Sequence, residues 1–221
     1  MSRLCWSTET LSAKPCLNLV DDGRSLCAAG HETTAPGIAV AASRKMGLVA
    51  GPGAPFDPDE LMNLEHSPDG PLAKACLIAA AAHGGQPEPT GGPYTDHLNR
   101  VTALVAHHKN PTLSAVAMLH DVLEDTSLTY GQLRQVMGPE IADAVQILSR
   151  PAGVSYADFI DTIVESGNWL ATTTKDADVD DHLRGDEESK ALFIEKPSLK
   201  RRYLRAQPKL KAALLAFSAA A

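Results

Sequence analysis

His120 and Asp121 sit side by side at the end of an apolar run, and Glu124 and Asp125 follow one helical turn later. In a helix the residue at i+4 shares a face with residue i, so Glu124 is expected on the side of His120. Grouped ionisable side chains at the end of a core helix are costly to remove from water unless something pairs them. A divalent cation would do so, and imidazole with carboxylate suits Mn, Fe or Zn better than Ca or Mg. Adjacent His and Asp cannot fill a coordination sphere; His97 upstream and Asp178, in Lys175-Asp176-Ala177-Asp178, are further candidates. A set of His97, His120, Asp121 and Asp178 from three helices would leave positions for water and a phosphate oxygen. That is the layout of a hydrolytic site, where a metal lowers the pKa of bound water and polarises the phosphoryl group. Glu124 and Asp125 would stand outside the ligand set and orient or deprotonate the attacking water. A lone His-Asp dipeptide is far more often a polar helix end than a metal site, so the weight rests on the ordered set.

The elements that must position these residues read as helices. From about Pro68 onward the pattern is helical, beginning with the Ala/Leu/Ile segment Pro71 to Ala82. Asp96 to His108 carries Leu98, Val101, Leu104 and Val105 on one face, and Pro111 to Glu124 repeats this with Leu113, Val116, Ala117 and Leu119. Thr129 precedes a short helix through Met137, Gly138 is a natural stop, and Pro139 opens the next helix with Ile141, Ala144, Val145 and Leu148. Tyr156 to Glu165, Trp169 to Leu183, Ser198 to Ala206 and Pro208 to Phe217 follow. No segment alternates with period 2, so residues 67–221 are expected to form one all-α domain. Residues 1–66 are rich in Gly, Pro, Ser and Thr and contain breakers such as Ala50-Gly51-Pro52-Gly53. They are expected to be largely irregular, with one short helix near Ile38 to Met46.

Composition narrows the class. The chain has 221 residues and a formal net charge of −7, so no general nucleic-acid-binding face is expected. The basic cluster Lys200-Arg201-Arg202 with Arg205, Lys209 and Lys211 reads as a solvated helix face or the border of an anionic substrate. No apolar run reaches the roughly 18–20 residues of a membrane span, and no signal peptide is visible. A cytoplasmic protein is expected. Cys5, Cys16, Cys27 and Cys76 form no CxxC pair. His83 reads as a buried, hydrogen-bonded histidine, His107 and His108 as helix C-terminal residues, and Trp169 as core. The acidic run Asp176, Asp178, Asp180, Asp181 lacks the glycine and terminal glutamate of an EF-hand.

In order along the chain stand Ala82-His83-Gly84-Gly85-Gln86, then Gly92-Pro93-Tyr94-Thr95-Asp96-His97, then Met118-Leu119-His120-Asp121-Val122-Leu123-Glu124-Asp125-Thr126. With Leu128-Thr129, the Gly138 turn, Lys175-Asp176-Ala177-Asp178 and Arg202-Tyr203, this set resembles the hydrolase domain of the RelA/SpoT alarmone enzymes. The likeness is greatest to their stand-alone small alarmone hydrolases, a branch of the HD superfamily. It covers about residues 70–215. It implies an HD-domain helical bundle with a metal site between helices, usually holding Mn²⁺, that removes the 3′-pyrophosphate from (p)ppGpp. By motif position it implies His97, His120, Asp121 and Asp178 as metal ligands and Glu124 and Asp125 as the water-activating pair. It likewise implies Lys175 and Tyr203 at the nucleotide.

Three departures bear on the substrate. Where the family has basic residues after Gln86, this chain has Pro87-Glu88-Pro89, and Glu88 reverses the charge. The family asparagine four residues after the last metal aspartate is His182, which can still donate to an oxygen and stays a substrate-binding candidate. Leu98 replaces a proline. The expected activity is therefore hydrolysis of (p)ppGpp or a related nucleotide such as ppApp. The alternatives are an HD-family nucleotide phosphomonoesterase or phosphodiesterase, or a non-catalytic HD domain that binds a nucleotide or partner. Small alarmone hydrolases can also serve as antitoxins, which leaves pairing with a toxic alarmone synthetase as one physiological role.

Overall fold

Proline opens several of the helices, where its missing N–H costs nothing and its fixed φ suits the first turn. In this computed structural model, residues 3–4, 19–20, 64–65 and 70–220 are described. Arg3–Leu4 (β1) pairs antiparallel with Leu19–Val20 (β2). Apart from residues 64–65, the rest of the expected irregular segment, including the short helix near Ile38 to Met46, lies outside the described residues. Residues 70–220 form an all-α fold: α1 Pro71–Ala82, α2 Tyr94–Val105, α3 Pro111–Leu119, α4 Val122–Asp125, α5 Tyr130–Met137, α6 Pro139–Leu148, α7 Tyr156–Glu165, α8 Trp169–His182, α9 Glu187–Glu195 and α10 Pro197–Ala220.

The centre is the pair α1 and α3. Every residue from Ala75 to Ala82 and from Leu113 to Leu119 is buried, so both helices are apolar all round and neither can lie at a surface. Small alanine side chains let the two backbones approach closely. Around this pair pack α2, α6 and α8, each of which touches α3. Caps set where they begin: Asn110 accepts from Leu113 N, Asn168 from Ala171 N, and Thr129 with Gln132 forms a reciprocal capping box. Gly138 ends α5 at φ 82°, a conformation that favours glycine.

Three expectations about elements are corrected. The helix expected over Pro111 to Glu124 is interrupted: α3 stops at Leu119, Asp121 sits at φ −103° and ψ −2°, and α4 restarts at Val122. His120 and Asp121 thus lie in a break, and the shared face expected for His120 and Glu124 does not form. Second, α9 was not anticipated, because Phe193 is its one buried large apolar side chain. Third, the expected pair Ser198 to Ala206 and Pro208 to Phe217 is the single helix α10, with Pro208 inside. Pro208 and Leu204 are exposed, so water can serve the carbonyl that proline leaves unbonded. Tyr203, Ala206 and Leu210 meanwhile bury one continuous stripe across the proline. Among the described residues no helix is long and apolar enough to cross a membrane.

Candidate metal centre

Three helices converge at one point. His97 comes from the first turns of α2, His120 and Asp121 from the break between α3 and α4, and Asp178 from the last turns of α8. Adjacent residues on an uninterrupted helix point about 100° apart. The break lets this adjacent pair converge, with His120 Nε2 2.9 Å from Asp121 Oδ2. His97 Nε2 lies 3.3 Å from His120 Nε2, 3.4 Å from Asp178 Oδ1 and 3.7 Å from Asp121 Oδ2. His120 Nε2 lies 3.8 Å from Asp178 Oδ1. Ligand atoms held about 2.1 Å from one ion stand roughly 3 to 4 Å from each other, so these separations fit a single cation.

The chemistry of the donors agrees. His120 Nδ1–H donates to the Ala117 carbonyl at 2.8 Å, and His97 Nδ1–H donates to Asp181 Oδ2 at 2.8 Å. Both Nε2 atoms are therefore lone-pair atoms in the neutral rings, and they face each other from two buried imidazoles. Asp178 Oδ1 is buried with no well-aligned hydrogen bond. Such an arrangement calls for positive charge. The electrostatics of the metal-free site point the same way. Burial pushes His97 down, but hydrogen bonds to Asp178 and Asp181 and the charge of Asp121 outweigh it and raise its pKa to about 10. Burial likewise lowers His120, and Asp121 overcomes this and raises it. Burial raises Asp178, yet Lys175 and His182 hold it well below the usual carboxylate range.

Around the centre the structure places the other candidates unevenly. Lys175 Nζ is 2.8 Å from Asp178 Oδ2 and buried, so its charge is committed inward. His182 Nε2 is 3.2 Å from Asp178 Oδ1, and its ring stacks on Tyr203 with centroids 4.5 Å apart. Arg202 lies over the Tyr156 ring at 4.8 Å and the Tyr203 ring at 5.6 Å, with its Nε buried and unpartnered among the described residues. Asp125 is exposed, and partial desolvation of its carboxyl together with the charge of Asp121 raises its pKa. Glu124 instead turns to the Arg150 backbone, accepting its N–H at 3.0 Å.

Tyr94, Asp181 and Arg100 had no role assigned from sequence. Tyr94 OH donates to Asp121 Oδ2. Asp181 follows Asp178 by three residues on a helix, and that spacing was the available signal. The acidic run divides accordingly: Asp178 and Asp181 face inward, while Asp176 and Asp180 meet Lys211 of α10. Glu88, read as a charge reversal toward the substrate, is buried and paired with Arg100 and Arg184. Its charge is satisfied inside the protein. His83 is buried as expected and bonds Gln86 Oε1 through Nδ1 at 2.8 Å.

Comparison with known families matches residues 75–178 to the HD domain. The bifunctional (p)ppGpp synthase/hydrolase SpoT of Escherichia coli is 38% identical over 89 residues, 39% of this chain and 12% of SpoT. The GTP pyrophosphokinase rsh of Brucella ovis is 38% identical over 80 residues, 36% of this chain and 11% of that protein. The chain thus spans about an eighth or less of the curated relatives it matches. A solved structure described as a metazoan ortholog of SpoT that hydrolyses ppGpp has TM-score 0.47 and 20% identity, covering 66% of this chain and 93% of that one. His97, His120, Asp121 and Asp178 all lie within the matched stretch, and this part of the chain is homologous to an HD domain and to segments of the SpoT and rsh proteins.

Proposed function

We propose that this chain is a metal-dependent phosphohydrolase that removes pyrophosphate from the 3′ position of (p)ppGpp or a close analogue such as ppApp. The observation that carries the reading is the opposed pair of Nε2 atoms, His97 and His120, closed by Asp121 and Asp178. These four residues would hold a divalent ion, and their mixed imidazole and carboxylate donors suit Mn²⁺. When bound, such an ion supplies polarisation of a phosphoryl oxygen and acidification of water.

The chain's own residues do the rest. Water adds to phosphorus, the bond to the nucleoside 3′-oxygen breaks, and that oxygen takes a proton from solvent. The proton lost by water goes to Asp125, whose raised pKa makes it a better base near neutrality than an ordinary carboxylate. Glu124 shares the assignment but must first leave the Arg150 N–H. Tyr94 holds Asp121 by its hydroxyl, and Lys175 holds Asp178. His182, Tyr203 and Arg202 offer stacked rings and a cation, which suit a base and a phosphate. SpoT and rsh, with which the chain shares its HD domain, are named for (p)ppGpp chemistry, and this supports the choice of substrate.

The test is a substrate panel of ppGpp, ppApp and ordinary nucleotides with Mn²⁺. Pyrophosphate release from one of the first two is expected, with Asp121→Ala at background. Release of inorganic phosphate alone would instead mark a phosphomonoesterase. Nucleotide binding without turnover at full metal occupancy would mark a binding domain.

A further inference from the structure

Glu88, Arg100, Asp181 and His97 form one line of charges leading into the metal centre. Arg100 Nη2 donates to Glu88 Oε1 at 2.6 Å, Arg100 Nε donates to Asp181 Oδ1 at 2.7 Å, and Asp181 Oδ2 accepts from His97 Nδ1 at 2.8 Å. Arg184 crosses the line, with Nη1 3.2 Å from Asp181 Oδ2 and Nη2 3.2 Å from Thr90 Oγ1, while Thr90 Oγ1 donates to Glu88 Oε1 at 2.6 Å. The line ties together the loop between α1 and α2, the body of α2, and the end of α8. The loop is itself folded back on a Pro87–Pro93 bridge, with Glu88 N bonded to Gly92 O at 2.9 Å.

Burying two carboxylates costs several kcal/mol each, and well-packed apolar side chains would hold the elements together as well or better. Something other than packing must explain the line. Its geometry supplies a reason, because the two imidazole rings of the centre are held differently. His120 donates to a backbone carbonyl, a neutral acceptor built into α3. His97 is buried on α2 and donates to a carboxylate that a guanidinium clamps from the other side. Glu88, His97 and Asp181 have donor atoms close enough to hold an ion themselves, but the Arg100 guanidinium bonds both Glu88 and Asp181 and serves as the cation there.

We propose that Asp181 is a positioning residue for His97. It fixes the proton on Nδ1, aims Nε2 at His120 and Asp178, and makes the ring a stronger donor, while Arg100 and Glu88 hold Asp181 in place. This rests on the metal reading above. Partners of this kind, outside the ligands themselves, typically change metal affinity by about 10- to 100-fold.

The experiment is Mn²⁺ titration calorimetry on the full chain, with Co²⁺ absorption as a spectroscopic readout. Asp181→Asn is expected to weaken Mn²⁺ binding by about 10- to 100-fold and to alter the Co²⁺ band, while the metal-free circular dichroism stays that of the wild type. Arg100→Gln should move both readouts the same way by less. If the wild type binds neither ion, the metal reading itself falls. If it binds and Asp181→Asn binds within twofold of it, the positioning role alone falls. A wild-type measurement covers the case of a variant that does not fold. In the Zn²⁺-loaded protein, ¹⁵N-histidine spectra should show His97 Nδ1 carrying an exchange-protected proton, and a bare or metal-bound Nδ1 would overturn the proposal.

Discussion

Lys175 illustrates how little the type of a residue says about the direction of its charge. A lysine near a phosphate-handling centre invites a role at the substrate, yet its ammonium lies against Asp178 under the rings of Tyr156 and Phe159. Removing one partner of a buried pair leaves the other charge uncompensated and costs about 3–5 kcal/mol. Lys175→Met should therefore destabilise the metal-free protein by about that amount, and added Mn²⁺ should recover part of it; urea unfolding with and without the ion measures both. The same lesson holds for Glu88. Its charge was plain in the sequence, but its partners Arg100 and Arg184 lie 12 and 96 residues away, and no local pattern announces them. The histidines and aspartates that converge were legible because their types are chemically specific. Those that support them, Asp181 and Tyr94, are of types with many uses, and only contact reveals which use applies.

Among the elements, most helices of residues 70–220 were legible, since apolar spacing and punctuation by Asn110, Thr129, Gly138 and Pro139 agree locally. The break at His120–Asp121 was not. Leu119 and Val122 are both fully buried, so the apolar spacing runs on through a place where the backbone does not. Pro208 misled in the opposite sense, suggesting an end where α10 continues. Its exposed position makes a clear prediction, since proline in a helix interior costs about 3 kcal/mol relative to alanine. Pro208→Ala should raise stability by roughly 1–3 kcal/mol, read as a higher urea midpoint with unchanged slope. A loss of stability would mean that the proline fits α10 against α7 and α8 in a way the exposed ring does not suggest.

At the scale of the whole molecule, the proposed ligands join α2, the α3–α4 break and α8, which lie far apart along the chain. An ion bound only by the folded state stabilises it by about 2.7 kcal/mol at one hundred times its Kd. For a chain of this size that is roughly 5–10 °C in Tm. Thermal unfolding should show such a rise with Mn²⁺, its loss on chelation, and none in His97→Ala. The helix α10 carries a second consequence. Its later lysines are tied down, Lys209 to Asp161 and Lys211 to Asp176 and Asp180. Arg201 and Arg205, flanking Arg202 and Tyr203, are exposed. A molecule of formal net charge −7 thus carries exposed cations on the helix that bears Arg202 and Tyr203. An approaching polyanion meets repulsion from most directions and attraction from one, so encounters are sorted by orientation before contact. Ionic strength erases that sorting. The kcat/KM of the proposed reaction should fall as salt rises at fixed Mn²⁺, and the slope should flatten when Arg201 and Arg205 are both replaced by glutamine.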